Sequence, residues 1–369
     1  MAERIEFEMK KKNLKSGSPL ANESAIVKGD KFRITILTSR LLRIEYSENG
    51  IFNDSATFAV INRDFEVPKY EIKNEDGILL ITTEYIRFQY NTTKPFSKES
   101  MSLRYIGNNA SVSAGRALPT WHFDVGINDN LLGTASSMDR ADGECHIDDG
   151  IMSTGGVCVL DDSKPFLLNE DGSISASKKK SIDQYLFCYG CAGEKKYDYI
   201  TALRDFYKLS GNTPLLPKYV LGNWWSRYHE YTQDEYIKLI ERFSKENIPL
   251  SVAMLDMDWH LAKIDTKYGG GWTGYTWNEE LFPNHKEFLS DLHKKGLHIG
   301  LNIHPQGGIA AHEKCYNDMA DAMGIDKSKE ELVEFDIENT KFVENYFKVM
   351  HNPLEEEGVD FWKDLLIWR

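Results

Sequence analysis

The hydrophobic pattern of this chain changes period near residue 215, and that change limits the fold more than any other feature. Before it, short runs rich in β-formers recur: FRITILTSRLLRIEYS, GILLITTEYIRFQYN, GGVCVLDDS and QYLFCYG, divided by clusters of Gly, Asn, Asp and Ser. Runs of that kind at that spacing predict an antiparallel β-sandwich. The segment YDYITALRDFYKLSG carries apolar residues at helical spacing and closes on Gly211, which predicts a helix leading out of the sandwich. NTPLLPKY, with its two prolines, reads as a linker, so the expected domains are 1–213 and 214–369.

Beyond the linker, strands alternate with helices. Strand YVLGNWWS is followed by helix TQDEYIKLIERFSKENI, strand LSVAMLDMDW and a long loop through KYGGGWTGYTWNEELFP. Helix NHKEFLSDLHKKG, strand HIGLNIHP, helix AHEKCYNDMADAMG, a short VEFDI, helix TKFVENYFKVMHNPLEEEG and the start of strand VDFW complete the series. Such alternation predicts a parallel sheet with helical crossovers, either doubly wound or a (β/α) barrel. Thr232 and Glu235 are spaced as a capping box at the first of these helices. No G-x-G-x-x-G follows the first strand, and no G-x-x-x-x-G-K-[ST] occurs. The glycines of GGGWTGY sit in a loop with no dinucleotide-type helix after them, which disfavours a nucleotide site and leaves the barrel as the better reading. The expected fold class is therefore α/β plus all-β: an N-terminal antiparallel β-sandwich followed by the first half of a (β/α)8 TIM barrel.

Composition narrows the partners. A formal net charge of -13 argues against nucleic acid and against an anionic membrane surface, since both demand clustered Lys and Arg. The N-terminal MAERIEFEMKKKNLKSG has no apolar core, and no stretch is apolar enough to span a membrane, so a cytoplasmic protein is expected. Five cysteines in 369 residues suit a reducing compartment without disulfides. Cys188 and Cys191 form a C-x-x-C inside a strand-like run, with no second pair to complete a zinc site. His298, His304 and His312 lack metal-ligand spacing as well, so neither a metal nor a cofactor is expected.

In a (β/α) barrel the chemistry gathers at the C-terminal ends of the strands. Here those ends hold Trp224, Trp225, Ser226 and Arg227, then Asp256, Asp258, Trp259 and His260, then Asn302, His304, Pro305 and Gln306. Carboxylates, amides and indoles in one mouth match the needs of a sugar, whose hydroxyls take polar partners and whose C–H faces stack on aromatic rings. The expected ligand is a carbohydrate.

The segments LPKYVLGNWWSRY, MLDMDWH, GWTGYTWNEELFP, NIHPQGGI and EEGVDFW, in that order and spacing, resemble glycoside hydrolase family 31. The resemblance reaches back through NLLGTASSMDRADG and DDGIMSTGGVCVLDDS into the sandwich. It implies a galactose-mutarotase-like sandwich before the barrel and a retaining α-glycosidase acting on α-glucoside-like substrates. The sandwich is implied to lend a loop to the sugar site, and a nucleophilic Asp to close the fourth barrel strand. In the branch this chain resembles, that strand reads like GVDFWWIDWQQG, whereas here GVDFW runs into KDLLIWR. Leu365 then falls at the nucleophile's place with Asp364 adjacent, so no catalytic residue is assigned. The expectation is a chain cut at mid-barrel, inactive alone and prone to self-association through the open barrel edge. A non-catalytic carbohydrate-binding protein, or a barrel completed by a separately encoded chain, is the alternative.

The expected substrate-binding residues are Asp256, Asp258, Trp272, Asn302, His304 and Asp149. Resemblance implies that Asp256 binds a sugar hydroxyl, although a strand-end carboxylate also serves to cap a loop. Asp258 shares its face by the period of two, as Asn302 and His304 share theirs. Trp224, Trp225 and Trp277 fit a core role, whereas Trp272 sits in a Gly-rich loop with few other reasons to carry an indole. Asp149, with Asp139 and Asp148, lies in sandwich loops resembling the site-contributing region, where turn formation is the competing role.

Overall fold

The computed structural model describes residues 17–106, 120–126, 129–135, 141–169, 174–177, 181–190, 197–213 and 215–364. The chain forms two compact units, 1–213 and 214–369. The first contains strands β1 (Ile26–Lys28), β2 (Phe32–Ile36), β3 (Leu41–Tyr46), β4 (Ala56–Thr57), β5 (Glu71–Glu75), β6 (Ile78–Thr82) and β7 (Ile86–Asn91). It continues with β8 (Met101–Tyr105), β9 (Trp121–His122), β10 (Val157–Asp161), β11 (Phe166–Leu168), β12 (Ile174–Ala176) and β13 (Ile182–Cys188).

Two five-stranded sheets, ordered β1-β2-β3-β13-β10 and β5-β6-β7-β8-β9, are antiparallel at every described pairing. They face each other across one core, with Ile34, Ile36, Leu42, Ile44 and Leu186 from the first sheet meeting Ile81, Phe88 and Leu103 from the second. β6, β7 and β8 alternate buried and more exposed positions, as a sheet with one covered face requires. β2 and β3 are buried on both faces. Part of the outer cover is the helix Tyr199–Ser210, whose Ala202 and Leu209 share a core with Leu41 of β3 and with Tyr185 and Phe187 of β13. Asp198 caps that helix, and Gly211 closes it at φ 90°.

The same outer face buries charge. Arg33 grips Glu45 through Nε at 2.6 Å and Nη2 at 2.8 Å, and Arg43 grips Asp183 through Nε at 2.8 Å and Nη2 at 2.6 Å. Both guanidinium groups also donate to the Asn53 carbonyl. Bidentate pairing of this kind is what lets ionised side chains leave water.

In the second unit β14 (Trp224–Trp225), β15 (Val252–Leu255), β16 (His298–Ile303) and β17 (Phe361–Asp364) form a parallel sheet in that order. Ala253, Leu255, Ile299, Leu301 and Ile303 point to the helices, where Tyr236, Phe288, Leu292, Phe342 and Met350 complete a core. The opposite face carries Val252, Met254, Gly300 and Phe361. Gly300 is the enabling residue there, because a Cβ on it would sit 2.6 Å from both the Met254 sulfur and the Phe361 ring.

The helix Gln233–Lys245 begins with both hydrogen bonds of the Thr232/Glu235 capping box. Other elements differ from the sequence pattern. The run YVLGNWWS supplies only a two-residue strand, since Lys218–Leu221 is a 3-10 turn. VEFDI contributes a single bridge, Ile309 with Val333. The long segment TKFVENYFKVMHNPLEEEG is helical but contains a π-helical stretch, Tyr346–His351, which turns His351 inward against Tyr346 and Trp362. No helix among the described residues is long and apolar enough to cross a membrane.

Candidate functional site

The C-terminal ends of β15 and β16 meet in register: Leu255 pairs with Leu301, and the next residues, Asp256 and Asn302, are joined side chain to side chain. Asn302 Nδ2 donates to Asp256 Oδ1 at 2.5 Å. Asn302 is itself 2% exposed, and its backbone carbonyl accepts the Trp259 indole N–H at 2.9 Å. Lys363 of β17 pairs with Asn302, which extends the polar row one strand further.

Asp256 and Asp258 are related differently from the expectation. β15 ends at Leu255, so strand alternation does not govern them. A tight turn does: the Asp258 N–H donates to the Asp256 carbonyl at 2.8 Å, around Met257 at φ 53°. A non-glycine residue held there costs about 1 kcal/mol or more and persists only where its surroundings impose it. The turn brings both carboxylates to one small crevice of about 10 Å³, shared with Arg227, His229 and Trp259. Burial raises the Asp258 carboxyl above its usual range, and the charges of Glu230 and Asp256 add to the effect.

His304 lies one residue beyond β16, so it too stands outside the strict alternation expected for it. It is 5% exposed, and its Nδ1 has no hydrogen-bond partner among the described residues. Burial holds this imidazole below its ordinary pKa, against the pull of the Asp256 carboxylate. The Trp272 ring covers it at 4.8 Å between centroids, and Tyr228 meets Trp272 edge-on at 6.3 Å. Asp256, Asn302, His304 and Trp272 therefore form one continuous patch. Trp272 is 45% exposed, unlike Trp277, which is buried and stacked on His285. Trp224 packs on Phe361 and Trp225 on Phe243, both half-buried.

Asp149 and Asp148 are exposed in a loop of the first unit, and Asp139 lies outside the described residues. Leu365 and Cys191 lie outside them too. Asp364 ends β17, paired in register with Ile303. No group of three or more His, Cys, Asp or Glu among the described residues is arranged to hold a metal ion. Sequence reasoning missed Glu313, a carboxylate only 5% exposed just behind this patch. Its sole signal was a charged residue in a stretch that otherwise leads into a buried helix.

A model of the glycosyl hydrolases family 31 TIM-barrel domain matches residues 213–366. The second unit belongs to glycoside hydrolase family 31. An α-xylosidase of Saccharolobus solfataricus is 32% identical over 131 residues, 35% of this chain and 16% of that protein. Alpha-glucosidase 2 of Bacillus thermoamyloliquefaciens is 33% identical over 119 residues, 32% of this chain and 13% of that one. A family 31 dextranase of Flavobacterium johnsoniae, solved with glucose, superposes with a TM-score of 0.60 at 17% identity, covering 91% of this chain and 45% of the dextranase. The family 31 α-xylosidase of Xanthomonas citri gives a TM-score of 0.61 at 11% identity, with 94% and 57% covered. The chain thus spans about half the length of these solved structures, with which it shares a β-sandwich and TIM-barrel-like fold.

Proposed function

We propose that this chain is a homologue of retaining α-glycosidases and that its second unit binds the sugar of an α-glucoside or α-xyloside at the Asp256 patch. In this reading its four parallel strands are the first four of a (β/α)8 barrel. The observation that carries the proposal is the state of the polar atoms at the strand ends. Asp256 is held by Asn302, while Asn302 Oδ1 and His304 Nδ1 are buried and unpartnered among the described residues. Buried polar atoms cost free energy unless something bonds them, and vicinal sugar hydroxyls present donors and acceptors at the spacing such atoms need. Trp272 adds an exposed indole face for the C–H side of the ring.

The chemistry proposed for the family 31 site is hydrolysis with retention, in which one carboxylate attacks the anomeric carbon and a second protonates the leaving oxygen. Leu365, the position that resemblance assigns to the nucleophile, lies outside the described residues. The role proposed for the residues in view is accordingly to bind and orient the sugar. Calorimetric titration of the full chain with isomaltotriose and with an α-xyloside tests it, alongside release of p-nitrophenol from the matching aryl glycosides. Asp256→Asn is expected to weaken binding by about 10- to 100-fold, the worth of a hydrogen bond to a charged group. Affinity unchanged by that substitution, or no binding of either α-linked sugar at millimolar concentration, overturns the proposal.

A further inference from the structure

The loop that carries Trp272 is not a loose surface segment. From Gly271 to Trp277 every residue is buried or half-buried except Trp272 itself. The segment is a buried strap that projects one indole. Its fixings are specific. The Thr273 hydroxyl donates to the His304 carbonyl and accepts from the Gly307 N–H at 3.1 Å. Gly274 lies flat on the His260 imidazole, where a Cβ would come within 2.1 Å of Nδ1. Toward the C-terminal end of the strap, Glu313 Oε2 accepts the Tyr275 N–H at 3.2 Å and the Thr276 hydroxyl at 2.5 Å. Thr276 Oγ1 in turn accepts the Lys314 N–H at 2.9 Å.

Among the described residues, Glu313 is thus the one buried carboxylate that ties this strap to the segment following β16, which itself bears His304. Its other oxygen, Oε1, lies 3.1 Å from His312 Nε2, out of hydrogen-bond alignment. A carboxylate at 5% exposure is expensive to bury, and the backbone and hydroxyl donors it collects are all on the strap or beside it. Helix capping does not account for it, since the neighbouring helix Tyr316–Met323 begins without a side-chain cap.

We propose that Glu313 is a positioning residue: it clamps the strap so that Trp272 stands over His304 at the rim of the Asp256 patch. The inference rests on the sugar-binding reading only for its functional consequence, and the position of the indole is testable without any sugar. Incorporation of 5-fluorotryptophan gives one fluorine resonance per indole, and Trp272→Phe identifies the Trp272 line by its loss. Glu313→Ala is expected to shift or broaden that line while the Trp224 and Trp225 lines stay in place, and to weaken isomaltotriose or α-xyloside binding by about 10-fold. Glu313→Gln keeps an acceptor of the same reach and is expected to restore both readouts to within about 3-fold of the parent affinity.

Thr276→Val, which deletes one of the two donors and leaves the carboxylate, gives a second and milder variant should Glu313→Ala not fold. It is expected to move the Trp272 line in the same direction. An unmoved Trp272 line in Glu313→Ala or Thr276→Val overturns the proposal. So does an equal disturbance of the Trp224 and Trp225 lines, which marks general loosening. A Trp272 line that moves in Glu313→Ala but never responds to sugar in the parent supports the clamp and sinks the sugar reading instead.

Discussion

The two units bury polar groups in different ways. In the first, Glu45 and Asp183 each meet a guanidinium through two contacts, and the outer face of the sheet closes over the pairs. In the second, the buried polar atoms without hydrogen-bond partners among the described residues are dominated by imidazoles, those of His260, His285, His304, His312 and His351, with Trp225, Asn302 and Glu313 beside them. Paired ions satisfy each other and specify one arrangement of strands. Unpaired polar atoms clustered at strand ends weaken the fold locally and are retained where a ligand or water completes them. The contrast is one of degree, since Asn53 Nδ2, Arg63 Nη2 and Arg87 Nε of the first unit also lack partners among the described residues, but only the second unit collects such atoms on imidazoles.

The strongest way to break that comparison is to remove one partner from the first unit. Asp183→Ala removes the bidentate partner of the buried Arg43 guanidinium, leaving it Glu45 at 3.0 Å and the Asn53 carbonyl, and is expected to cost about 3 kcal/mol, read as a fall of roughly 6–12 °C in the melting of that unit. A loss below about 1 kcal/mol equates the pair with an exposed ion pair and removes the contrast.

Acid sharpens the comparison, because the most strongly shifted buried groups of the two units respond with opposite sign, although Asp198 of the first unit is lowered and Asp258 of the second is raised. Burial pushes His260 and His351 down to about 4, well below the value of an unfolded histidine. The stability they allow is present above about pH 6.5 and is lost as pH falls toward 4, at about 1.4 kcal/mol per pH unit for each. In the first unit burial raises Asp162 to about 6, and it raises Asp205 and Glu45 in the same direction. A carboxyl that protonates more readily when folded gains stability as pH falls from 6 toward 4. Hydrogen exchange followed by mass spectrometry across that window is expected to show the second unit loosening well before the first. His351→Phe should remove part of the second unit's loss, since its ring stands among Tyr346, Phe347 and Trp362. Parallel responses from the two units dissolve the distinction.

The smallest effect concerns a feature shared in kind by both units, the helix cap. Thr232→Ala deletes the capping box of Gln233–Lys245 and is expected to cost about 1 kcal/mol by chemical denaturation, with no change in sugar affinity. An accompanying loss of affinity ties that helix to the site and blurs the separation of roles.

Much of this was legible in the chain itself. The capping box and Gly211 are local signals, complete within a few residues, and both elements begin or end where those residues stand. Strand-end polarity pointed to Asp256, Asn302 and His304 because the apolar runs of β15 and β16 stop abruptly, and the Gly-rich loop pointed to Trp272. The turn at Met257 was not legible, since its positive φ is imposed by packing rather than by residue type. The π-helical stretch was also hidden, because its residues keep the apolar spacing of an ordinary helix. Glu313 escaped for a related reason: a charged residue reads as exposed until its partners, 37 and 38 residues away, are known.

By itself the sequence determined the two periods, the alternation of strand and helix in the second unit, and the polar residue types at its strand ends, because each rests on neighbours within a turn or a strand. Only the tertiary structure decided which of those residues meet. Asp256 touches Asn302 across the register of two parallel strands, and Trp272 covers His304 because a buried strap holds it there. Both contacts join residues more than 30 positions apart, where the favourable terms come from packing and shared hydrogen bonds and local propensity carries no information.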